Sequence, residues 1–183
     1  ALRAVLADRL PGDEVRTFIA MRYWHPLTEE TAVDVAAFAP DEIVLLPLYP
    51  QFSTTTTGSS IKAWKAAVAA AKLVVPTQAV CCYPDEPGCV AASVDLLKQG
   101  LAEAGDRPVR VLFSAHGLPE KIIQRGDPYQ VQVERTAKAI ADRMERLRYL
   151  DDRQYAAIRA GAMTRRGLGV RRVKAQLYVD GIT

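Results

Sequence analysis

The sequence predicts an α/β fold, a parallel sheet with flanking helices, followed by a short helical tail. Three observations carry this. Short apolar runs alternate with stretches of helical spacing from residue 15 to residue 145, the order produced by parallel strands joined through crossover helices. Three of those runs end in turn-forming or polar clusters, "RYWHP", "YPQFSTTTTGSS" and "SAHGLP". The charge balance also breaks near the end: residues 1–148 hold 17 Lys+Arg and 18 Asp+Glu, whereas residues 149–183 hold 7 and 3.

The elements follow in order. Residues 1–10 have helical spacing, stopped by Pro11 and Gly12. Residues 15–23 are predicted as a strand. Residues 27–38 are predicted as a helix, with Glu29 and Glu30 favourably placed in its first turn. Residues 42–49 form a buried strand and residues 60–72 a helix. A third strand is expected over 76–83, a helix over 88–104 and a fourth strand over 108–115. A long helix is expected over 129–145. In the tail, residues 151–166 are helical with Asp151 or Asp152 as N-cap. Gly167 and Gly169 break that helix, and residues 170–181 form a second one ending at Gly181.

Composition sets bounds. A chain of 183 residues with 49% hydrophobic and 25% charged residues can bury a sizeable core, in one domain or two small ones. A net charge of +3 does not by itself make a nucleic-acid binder. The cysteines, Cys81, Cys82 and Cys89, are odd in number and no secretory signal precedes them, so a reducing cytoplasm is expected. Their C-C-x6-C spacing matches no common zinc pattern, and buried free thiols are expected. No apolar run approaches the roughly 18 residues that span a bilayer; a peripheral membrane contact stays open. The chain opens on Ala1 in helix-like sequence, which is expected of an internal piece of something longer.

Ligands of open parallel sheets bind beyond the carboxyl ends of the strands. The three polar strand ends are therefore one candidate site. "LLPLYPQFSTTTTGSS" either supplies Ser59 or Ser60 as a helix N-cap or receives an anion at the helix N-terminus. It lacks the glycine and lysine spacing of a P-loop. In "MRYWHPLTEE", Arg22 is either a surface charge or a two-pronged partner for a carboxylate. Tyr23 and Trp24 offer flat faces, and His25 before Pro26 suits a cap or turn. His116, in "RVLFSAHGLPEK", either bonds the loop backbone or acts as a base or metal ligand at neutral pH. Gly117 would permit close approach and Pro119 would stiffen the turn.

These motifs, "MRYWHPLTEE", "LPLYPQFSTTTTGSS" and "LFSAHGLPEKIIQRGDPY", resemble ferrochelatase, which inserts ferrous iron into a porphyrin in haem biosynthesis. The resemblance covers residues 1–146, and "VCCYPDEPG" adds to it. It implies a Rossmann-like, chelatase-type fold around a porphyrin cleft. It implies that His116 is the histidine of the family's S-x-H-x-L-P signature, a metal ligand or acceptor of pyrrole protons. It puts Arg22, Tyr23, Tyr49 and Ser53 on the cleft wall. Porphyrin and ferrous iron are the implied substrates, with no cofactor. Some members hold an iron-sulfur cluster through a cysteine where this chain has Thr54, so no such cluster is expected. The family's opening segment, and its later segment with a glutamate facing the histidine, are not matched here.

Residues 149–182 instead resemble RecX, a regulator of recombinase filaments built from short helical repeats. The expected domains are thus a ferrochelatase-like region, 1–146, and a basic helical RecX-like tail, 147–183. The alternatives to metal insertion are a porphyrin- or metal-binding fragment without turnover, and a regulator that docks on a recombinase filament through the tail.

Overall fold

The computed structural model describes residues 2–105, 107, 109–150 and 152–179. The chain divides into two compact units, Ala1–Pro84 with His116–Val133, and Asp85–Ala115 with Glu134–Thr183.

The first unit is built on a parallel strand pair. β1 (Ile43–Leu45) pairs with β2 (Thr77–Ala79) in the register Ile43 to Thr77, Val44 to Gln78 and Leu45 to Ala79. Parallel strands need a crossover between them, and α3 (Thr57–Ala70) supplies it. The ladder is extended at both ends, by Ile43 N–H to Pro76 and by Val80 N–H to Leu45, each at 2.9 Å. Beyond it, Tyr83 donates its N–H to Pro50 and its hydroxyl to Pro47. α1 (Leu2–Arg9) precedes the sheet and buries none of its residues.

α2 (Thr28–Phe38) packs beside α3 and β1. Ala32, Val35, Ile43, Trp64 and Ala67 form the core there, with Phe18, Leu45 and Val68 against it. Its start is fixed by Glu30, whose carboxylate accepts the Leu27 N–H at 2.8 Å. Its end is an abrupt left-handed turn at Ala39, φ 52°.

The second unit has a separate core. α4 (Pro87–Ala104) and the later turns of α6 (Tyr129–Arg146) bury Val90, Val94, Ile140 and Met144, with Leu97, Leu101 and Ala139 around them. Glu86 caps α4 by accepting the Cys89 N–H, and Pro87 opens it, where a missing N–H costs nothing. The tail forms two helices, α7 (Asp152–Arg165) and α8 (Val170–Val179), which bury Met163 and Val173. Of the expected tail caps, Asp151 and Gly181 lie outside the described residues. A short helix, α5 (Glu120–Gln124), was not anticipated from the sequence.

Two predicted strands are absent among the described residues. Residues 15–23 make only an isolated bridge between Met21 and Leu27. The hydroxyls of Thr31 and Thr28 take the carbonyls of Ile19 and Met21, at 2.7 and 3.2 Å, so those acceptors serve α2 instead of a sheet. Residues 109–115 are also outside any helix or strand, and Pro108 lies outside the described residues. They belong to the unit without strands, where Val109, Val111, Leu112 and Phe113 line a groove with Leu96, Leu97 and Leu101 of α4.

The two tryptophans occupy opposite environments: Trp64 is 5% exposed and Trp24 is 71% exposed. Trp64→Ala should destabilise the first unit by roughly 3–5 kcal/mol, read as a lowered urea midpoint. In Trp24→Phe the emission should keep its blue-shifted, buried component; in Trp64→Phe that component should vanish.

Candidate functional site

All five residues singled out in the sequence fall within the first unit. Arg22 and Tyr23 follow the bridge at Met21. The Arg22 guanidinium lies 5.0 Å from the centroid of the Tyr23 ring, and its Nε donates to Ser59 Oγ at 3.1 Å. Ser59 stands in the first turn of α3, so one exposed cation is tied to a helix N-terminus and stacked on a flat ring. Such a helix end and such a cation both favour an anion. Trp24 packs edge-on against His25, whose Nδ1 is 3.2 Å from Glu30 Oε2. His25 is thus held by the residue that caps α2.

The loop before α3 is held from one place. Ser53 is fully buried, and its hydroxyl donates to Asp127 Oδ2 at 3.0 Å while accepting the Thr55 N–H at 3.1 Å. Thr54 donates both its N–H, at 2.8 Å, and its hydroxyl, at 2.7 Å, to the same Asp127 oxygen. The other carboxylate oxygen of Asp127 accepts the Tyr129 N–H at 3.0 Å, which opens α6. Gln132, one turn on, accepts the Phe52 N–H at 2.7 Å. The Ser53 carbonyl then accepts the N–H of Gly58 at 2.9 Å and of Thr56 at 3.3 Å. A Cβ at Gly58 would come into van der Waals contact with the Phe52 ring, at 3.4 Å.

The Ser53 hydroxyl is thus committed to Asp127 and to the Thr55 N–H. Contrary to expectation, neither Ser59 nor Ser60 is the N-cap of α3: the helix begins at Thr57, and its cap residue Thr56 makes no side-chain cap bond. Backbone bonds to Ser53 organise the turn instead.

Tyr49 is exposed, in the bend after β1. His116 is also exposed, and it has no hydrogen-bond or ion-pair partner among the described residues. Space beside Gly117 is open. No hydrogen bond, ion pair or ring contact among the described residues joins His116 or Tyr49 to the Arg22–Tyr23 pair. No group of three or more His, Cys, Asp or Glu side chains gathers as a metal site among the described residues. The cysteines depart from expectation: Cys81 is exposed and Cys82 and Cys89 are only half-buried. No helix of the described residues is long and apolar enough to cross a membrane.

Asp127 is the residue that sequence reading missed. An Asp just before Pro128 and a helical run is a helix-start signal, and that much was available. Its partners 73 and 74 residues away were not. Burial raises its pKa, but the hydrogen bonds from the Thr54 hydroxyl and N–H, the Tyr129 N–H and the Ser53 hydroxyl prevail. The carboxyl therefore stands below its ordinary value of 3.8.

Comparison with known proteins agrees with the motifs. A family model described as ferrochelatase matches residues 1–157. The ferrochelatase of Caulobacter vibrioides is 58% identical over 142 residues, which is 77% of this chain and 40% of that protein. The ferrochelatase of Phenylobacterium zucineum is 57% identical over 142 residues, with the same coverage. That of Hyphomonas neptunium is 56% identical over 146 residues, 79% of this chain and 39% of the relative. The chain thus spans about two fifths of the length of the curated relatives it matches.

A carboxyl with a depressed folded-state pKa stabilises the fold while ionised. That contribution is complete above the unfolded value and fades as pH falls through the folded one. Asp127→Asn should therefore be less stable than the parent at pH 7. The gap should narrow as pH drops below about 4, measured by urea denaturation at matched pH.

Proposed function

Because the chain belongs to the ferrochelatase family, we propose that it carries part of a site that inserts ferrous iron into a porphyrin, a step of haem biosynthesis. The observation that carries this reading is the exposed imidazole of His116, with no protein partner among the described residues, in the unit that also holds the Arg22–Tyr23 stack. An uncommitted imidazole can accept a pyrrole proton or hold the incoming iron.

Each remaining residue has a part. Insertion removes two N–H protons from a flat macrocycle, and a wall that bends the ring exposes its nitrogen lone pairs. Tyr23 and Tyr49 offer exposed faces for the ring. Arg22 is placed to pair with a propionate, strengthened by the start of α3. Ser53 serves through the loop it locks. Iron and porphyrin are substrates here; no resident cofactor is required. Thr54, occupying the position of a cluster cysteine in some members, argues against an iron-sulfur cluster. We read the β1–α3–β2 unit as belonging to a Rossmann-like sheet in a cytoplasmic protein. A peripheral membrane contact would bring it to an apolar substrate.

The division into a chelatase-like region, 1–146, and a tail, 147–183, belongs to the same proposal. A RecX-like role for the tail is favoured by one observation. From Arg153 to Val179 there are seven Lys and Arg and no Asp or Glu, on two helices packed through Met163 and Val173. Such a surface suits an anionic filament.

The test is an absorbance titration of the chain with a porphyrin, followed by Zn(II) as a stable stand-in for iron. The expected result is a shifted porphyrin spectrum, then the metalloporphyrin spectrum. His116→Ala should keep the first and slow the second on the order of 100-fold. Binding without insertion in the parent chain would favour the non-catalytic reading. No spectral shift at all would overturn both.

A further inference from the structure

We propose that Asp127 is a positioning residue for Arg22, fixing the loop that determines where the guanidinium stands. The consequence for ligand binding rests on the porphyrin reading above; the positioning itself does not.

The contacts form one continuous path within the first unit. The Asp127 carboxylate takes three donors from Ser53 and Thr54 on one oxygen. Its second oxygen is anchored to α6 through Tyr129. Ser53, so held, offers its backbone carbonyl to the N–H groups of Thr56 and Gly58. Those bonds set the first turn of α3. Ser59, the next residue, holds Arg22 Nε, and the guanidinium rests over Tyr23. Arg22 is exposed, and a long cationic side chain in water samples many rotamers. Its direction is fixed only as well as Ser59 is fixed. A buried charge with four hydrogen bonds is a far stiffer anchor than the exposed bond it supports.

The alternative is that Asp127 merely holds the fold. Two features separate the roles. Phe52 is independently tied to Gln132, so the loop retains one anchor when the carboxylate is altered. And Arg22 would act only on ligands bearing an anion, which a general loosening would not discriminate.

The experiment uses the full chain and the variants Asp127→Asn, Thr54→Val, Arg22→Ala and Asp127→Asn with Arg22→Ala. Thr54→Val removes one donor and leaves the carboxylate, so it covers the case in which Asp127→Asn fails to fold. The first readout is hydrogen exchange, with the amides of residues 64–70 as internal reference. Exchange at Thr56 and Gly58 should quicken roughly ten-fold in Asp127→Asn and less in Thr54→Val. Arg22 should also react faster with an arginine-specific dicarbonyl. Unchanged exchange and unchanged Arg22 reactivity would overturn the proposal.

The second readout is the Kd of a dicarboxylate porphyrin against that of its dimethyl ester. Asp127→Asn should weaken the diacid several-fold and leave the ester unaltered. Arg22→Ala should do the same, and the double variant should lose nothing further. Equal weakening of diacid and ester would overturn the proposal in favour of a purely structural role. A parent chain that binds neither porphyrin would overturn the porphyrin reading, and the exchange and dicarbonyl results would then decide the positioning alone.

Discussion

A single buried carboxylate organises the candidate site. Asp127 gathers the hydroxyls of Ser53 and Thr54, the N–H of Thr54 and the N–H of Tyr129. An ionised group away from water is tolerated only when its lone pairs are met, and here four donors meet them. The result is that two segments far apart in sequence, one opening α3 and the other opening α6, share one electrostatic anchor. A hydroxyl-rich loop thereby becomes a defined platform. The buried hydroxyls of Thr56 and Thr57, where that loop meets α3, find no partner among the described residues. The local geometry is therefore dictated by what Asp127 demands, not by the satisfaction of every group.

Around this anchor the division of labour is clear. The core formed by Ala32, Val35, Ile43, Trp64 and Ala67 gives the first unit its rigidity without entering the site. What the unit presents outward is small and chemically mixed: a cation on a ring, a second exposed tyrosine and an imidazole. That mixture suits a ligand that is flat, apolar over its faces and anionic at its rim. In the function proposed above, that ligand is a porphyrin.

How much of this was legible in the sequence differs by element. Most helices were, because their signals are local: the acidic first turn of α2 and the apolar spacing of α4 and α6; the short α5 was not. Strands were less so, since a strand exists only through a partner. Residues 43–45 and 77–79 found each other, whereas residues 15–23 gave carbonyls to threonines on α2 and residues 109–115 pair with no strand among the described residues. Among site residues, the neighbours Arg22 and Tyr23 were readable as a pair. Ser53 was placed on the cleft wall by the family resemblance alone. Only the distant Asp127 shows that its hydroxyl is engaged.

The coil at residues 109–115 has a colloidal consequence. Its backbone donors and acceptors join no ladder in the sheet, and Leu112 and Phe113 are 81% and 52% exposed. A β-prone, uncharged run such as "VLFSA" is the kind of segment that recruits its like from another molecule. Shelf life in solution will therefore depend on concentration more than on the strength of either core. A single charge placed on the exposed face of that run, which no helix contact uses, would act as a gatekeeper against self-association.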